Sequence, residues 1–165
     1  MTGVARSANI EHVFVNGRST SGQGAAAARS AAARSAGVQG RPATALAELA
    51  RASLNEARTA ESAGERFCAA HLAALRAAAA VLAVHGRPGA RRTLVSAWVL
   101  LRGVAPEFGD WAAYFAAGAA PRAAVEAGAT SAVSPREADD QLRAAEEFLA
   151  LVESRLGLLP ATLAS

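Results

Sequence analysis

One pair of side chains in this sequence could carry chemistry. Arg66 and His71 stand five residues apart in the helical run ERFCAAHLAALRAAAAVLA, Glu65 to Ala83. Arginine keeps its charge and offers a planar fork of donors to an anion, and histidine is the side chain that titrates near neutral pH. Their types are therefore those of anion binding and proton transfer. Their spacing places them on different faces of a helix. At about 100° per residue, His71 falls about 40° from Phe67, close to Leu75 and Leu82 at the centre of the apolar stripe, whereas Arg66 lies about 140° around from His71. An imidazole so placed is expected to be neutral, hydrogen-bonded and part of a core or interface. The pair becomes a site only where a second subunit or a neighbouring helix opens a cleft beside it.

Other candidates have plainer explanations. His85 closes the same helix just before Gly86, where the helix dipole favours a cation and glycine suits the capping position. Cys68 borders the apolar face as a small core residue, and His12 falls in a low-complexity tail. Arg87, Arg91 and Arg92 form a basic cluster on a turn-rich loop that could contact a phosphate backbone, with Arg102 about three turns along the next helix. The sequence contains no P-loop, no dinucleotide fingerprint, no metal-ligand spacing and no nucleophile elbow, so no cofactor and no metal is expected.

These residues must be positioned by helices. The 165 residues suit one domain. A hydrophobic fraction of 52% with only 5% aromatic content implies a core built mainly of Ala, Leu and Val. Alanine is the best intrinsic helix former, so the expected class is all-α. A single cysteine rules out an intramolecular disulfide and fits a reducing compartment. All seventeen basic residues are arginine, against fourteen acids. Residues 1–41 hold five Arg and one Glu, leaving twelve Arg against thirteen acids and a net of −1 for the remainder. The longest apolar stretch, Phe67 to His85, carries Arg76 at its middle, at a cost of about 2.5–3.5 kcal/mol on membrane insertion. The N-terminus lacks the apolar run of a signal peptide. A cytoplasmic protein with no membrane partner is expected.

The chain divides near residue 42. Residues 1–41, rich in Ala, Ser, Gly and Arg, have no stripe to bury and are expected to be disordered. Residues 42–158 are expected to form the domain, with a short tail over 159–165. The first helix is expected over about Thr44–Ala60, with Leu46, Leu49, Ala50, Ser53, Leu54 and Ala57 inward. The second covers Glu65–His85. A third, about Arg91–Val104, would bury Leu94, Val95, Trp98 and Leu101. Pro106 forces a boundary. The fourth then starts near Glu107, with Phe108, Trp111 and Phe115 as an aromatic stripe, Gly118 permitting close approach, Pro121 kinking or ending it, and Gly128 the latest stop. Ser134-Pro135-Arg136-Glu137 is a capping box that opens the last helix. Its stripe of Ala138, Leu142, Ala145, Phe148, Leu149, Val152 and Leu156 faces inward, and Asp139 and Asp140 suit the helix dipole. The sum is an antiparallel bundle of four to five helices.

The Arg66-x4-His71 pairing, with small and aromatic residues between and Ala/Leu-rich turns after it, resembles the HEPN superfamily over roughly residues 43–157, in particular a small, Ala/Arg-rich actinobacterial branch. The resemblance implies a helical bundle, often a homodimer, whose Arg and His line a cleft between subunits and bind or cut RNA without a metal. On that analogy Arg66 would contact phosphate and His71 would act as general acid and base at a ribose 2′-hydroxyl. HEPN nucleases often carry the motif on a later helix with a polar residue after the arginine, whereas Phe67 follows it here. Two readings follow: a non-catalytic or vestigial HEPN module that dimerises or docks a partner, with RNA or nucleotide affinity from the basic loop, or a metal-independent endoribonuclease using Arg66 and His71.

Overall fold

Helices account for nearly all of the computed structural model, which describes residues 21–85 and 96–158. In chain order they are α1 (Ser21–Thr59), α2 (Ala63–His85), α3 (Ala97–Val104), α4 (Gly109–Ala117), α5 (Ala119–Glu126) and α6 (Pro135–Leu156), with a 3-10 turn over Pro106–Phe108. Among the described residues, those up to Ala33 and those from Arg34 onward fall in separate units. The second unit is an all-α bundle. Ion pairs fix its directions: Arg58 with Glu146 and Arg51 with Glu153 set α1 antiparallel to α6, while Arg66 with Asp139 sets α2 parallel to it. The chain between α2 and α6, through α3, α4 and α5, supplies the returning arm.

The first helix begins well before Thr44, and Pro42 lies inside it. Proline removes one backbone hydrogen bond and usually breaks a helix, but here the helix runs through it into the alanine-rich stretch that follows. Two residues beyond the proline, the Thr44 hydroxyl donates to the Gly40 carbonyl at 2.9 Å. Residues 21–41 of the low-complexity stretch are thus helical, and residues 1–20 lie outside the described residues. Among the described side chains, Arg29, Ser30, Arg41 and Pro42 are exposed, and burial sets in at Ala43.

The packed face of α1 is rotated from the leucine-centred stripe. Ala43, Ala47, Ala50, Leu54 and Ala57 are buried with Ser53, while Leu49 is 48% exposed. The opposing row on α2 is itself mostly alanine, from Ala70 through Ala80. Small side chains line the buried rows of both helices, and Leu49 is left exposed. Arg76, at the middle of α2, donates to the Leu49 carbonyl and the Ser53 hydroxyl. Among the described residues α2 is the one helix long and apolar enough to cross a membrane, and half of that stretch is buried in the bundle.

The far side of the core is aromatic. Trp98, Phe108, Trp111, Phe115 and Phe148 form one cluster. Trp98 is buried as expected, but Trp111 is only partly covered. Leu94 and Val95 lie outside the described residues, and α3 starts at Ala97, capped by Ser96, whose hydroxyl accepts from the Trp98 amide. The fourth expected helix divides at Gly118, three residues before Pro121. This puts the proline in the first turn of α5, where a missing N–H costs nothing. Gly128 follows α5 at φ 95°, a left-handed conformation that glycine adopts freely.

Candidate functional site

The start of α2 is built by a second capping box, one not anticipated above. The Glu65 amide donates to the Ser62 hydroxyl at 3.2 Å and the Ser62 amide donates to Glu65 Oε2 at 3.2 Å. The box at Ser134 and Glu137 is formed as expected, with its two return bonds at 3.2 and 2.8 Å. The Ser134 amide and the Ser134 hydroxyl both donate to Glu137 Oε2 and hold that carboxyl below the usual carboxylate range. The two boxes fix the first turns of the two helices that carry the candidate residues.

Arg66, in the opening turn of α2, points across to α6. Its Nη1 donates to Asp139 Oδ1 at 2.7 Å and its Nη2 to the Ala60 carbonyl at 3.3 Å. His71 faces the other way, into the core, and is 2% exposed. Its ring stacks near Phe67, with centroids 6.3 Å apart, and meets Trp98 and Phe115 edge-on at 6.0 and 6.4 Å. The Gln141 amide donates to His71 Nδ1 at 3.2 Å, which places the ring proton of the neutral imidazole on Nε2. Gly118 closes the enclosure: a Cβ added there would lie 3.0 Å from Nδ1. The two candidate residues share no hydrogen-bond partner and occupy different faces of α2.

Burial pushes the His71 pKa down to about 4, with the Arg122 guanidinium adding to the effect and Glu126 opposing it. The imidazole is therefore neutral at physiological pH. Cys68, on the same helix, is partly buried, and burial followed by the Glu126 carboxylate pushes its thiol up, against the opposing pull of Arg122. A thiol so shifted is not activated as a nucleophile. His85 Nδ1 donates to the Val81 carbonyl at 2.9 Å, within its own last turn. Arg87, Arg91 and Arg92 lie outside the described residues. Among the described residues, no three metal-ligating side chains converge.

Gln141 is the residue that sequence reasoning missed. It sits three residues after Ala138 and four before Ala145, on the buried row of α6. A lone amide on an otherwise apolar row marks a polar partner waiting in the core, and His71 is that partner.

The sequence pattern of the SAV_6107-like HEPN family matches residues 57–153, more than half of the chain, and the chain belongs to that family. No curated protein and no solved structure matches the chain.

Proposed function

We propose that this HEPN domain is a non-catalytic or vestigial helical module of the cytoplasm that dimerises or docks onto a protein partner. The observation that carries this reading is the engagement of both motif residues within the fold. His71 is enclosed and hydrogen-bonded to Gln141, and Arg66 is committed to Asp139 and the Ala60 carbonyl. A general base must reach the proton it removes, directly or through one water. The basic residues Arg87, Arg91 and Arg92 would add affinity for RNA or nucleotide.

The second reading, a metal-independent endoribonuclease, is favoured by the motif itself within a HEPN family member. One experiment separates them. Purified protein is incubated with single-stranded RNA in EDTA while its mass in solution is measured by light scattering. The docking reading expects intact RNA and a dimer or a stable complex with a partner. Cleavage leaving 2′,3′-cyclic phosphate ends, abolished by Arg66→Ala and by His71→Ala in variants that remain folded, would replace it with the nuclease.

A further inference from the structure

A groove on the opposite side of α6 from α1 is unlike the rest of the surface. It runs between α4 and α6, has a volume of about 410 Å³, and is lined by Asp110, Trp111 and Tyr114 on one side and Asp140, Arg143 and Glu147 on the other. Three carboxylates thus line it with one guanidinium, Arg143, which is already bonded to Asp140, and Arg136 reaches the same aspartate at 3.9 Å. Among the described residues, Asp110 and Glu147 have no basic partner. Like charges gathered without compensation repel one another, so the groove is complementary to a cation.

Its aromatic wall narrows the class of cation. Among the described residues, Tyr114 is one of three large apolar side chains left exposed, at 44%, and its hydroxyl makes no hydrogen bond. It stands edge-on to Phe115 at 5.2 Å, and Trp111 stacks on the same ring at 6.1 Å. Trp111, which also meets Phe148 at 5.6 Å, is held against the core before any ligand arrives. A planar guanidinium can stack flat on an aromatic face while its N–H fork engages a carboxylate in two parallel bonds; an ammonium can approach the same ring but has neither the flat face nor the fork. The residues from α6 recur at positions 140, 143 and 147, a span of about 10 Å, which matches about three residues of extended chain. An acidic surface of this kind repels nucleic acid.

We propose that the α4–α6 groove docks an arginine-bearing basic segment of a partner protein, the arginine lying against Trp111 and Tyr114 with Asp110 and Glu147 as its acceptors. This rests on the docking reading above and names the chemistry of the partner. The test uses the full chain and a dye-labelled peptide, Gly-Arg-Gly-Arg-Gly, followed by fluorescence anisotropy. Binding should weaken about tenfold in the Asp110→Asn, Glu147→Gln double variant and about tenfold in Tyr114→Ala. A lysine version of the peptide should bind several-fold more weakly, and a citrulline version should not bind. Unchanged melting temperatures of the variants confirm that the fold is retained, as expected for exposed positions. The inference is overturned if the arginine peptide does not bind at millimolar concentration, if the substitutions leave binding unchanged, or if the lysine peptide binds equally. Light scattering on the same samples keeps the two levels apart: a dimer that ignores the peptide removes this inference and leaves docking standing.

Discussion

At the residue scale His71 decides how the protein responds to pH. Its folded pKa of about 4 lies below the ordinary value of 6.5. The folded state therefore binds the proton less readily than the unfolded one. Stability is fully present above pH 6.5 and is lost as pH falls toward 4, by roughly 3 kcal/mol over that window. Thermal melts between pH 7 and 5 should show a falling midpoint, and His71→Gln, which removes the titrating group, should flatten that slope. An unchanged slope in the variant would move the pH dependence elsewhere. Gly118→Ala is expected to destabilise the same neighbourhood, because the new methyl lies 3.0 Å from a ring fixed on all sides by Phe67, Trp98 and Phe115. Urea denaturation should place that loss at about 1–3 kcal/mol. The inward orientation of His71 was legible from helical spacing alone. Its partner was not, because Gln141 directly follows two acidic residues, and its row becomes visible only once Ala138 and Ala145 are known to be buried together.

Among the elements, the start of α6 was the most legible feature and packing register the least. Ser134, Pro135 and Glu137 specify the start of α6 through bonds made within four residues, which depend on nothing distant. Ser62 and Glu65 do the same for α2. Ser62→Ala and Ser134→Ala should each lower stability by about 1 kcal/mol in chemical denaturation. The inward face of α1 depends instead on what lies opposite. Hydrophobicity placed Leu46 and Leu49 inward with Ala50, whereas the buried row also takes Ala43 and Ala47 and leaves Leu49 out, and a single-helix pattern contains no information about its neighbour. The same distinction separates the tryptophans. Trp98 is enclosed by His71, Phe115 and Phe148, so Trp98→Ala should cost about 3–5 kcal/mol. Trp111, partly open at the α4–α6 groove, should cost measurably less, and equal losses from the two variants would show that the groove is closed in solution.

Across the whole molecule the basic charge and the packed core occupy different stretches of chain. Residues 1–41 carry five Arg and one Glu, whereas the remainder is slightly acidic. Composition made that division readable, but not the continuity of α1 through Pro42, because low complexity argues against burial and says nothing of helix that Ala-rich sequence forms without burial. We propose that the bundle of residues 42–158 folds without the preceding segment. Ala43 is the first buried position after Pro42, and the described side chains of Arg29, Ser30, Arg41 and Pro42 make no contribution to the core. Deleting residues 1–41 should therefore leave the melting temperature within about 3 °C of the full chain. Total helical ellipticity should nevertheless fall, since the deleted stretch includes the first part of α1. A cooperative transition at the original temperature with reduced ellipticity is the expected result. Loss of cooperativity would mean that residues before Ala43 belong to the core, and the boundary would move toward the N-terminus.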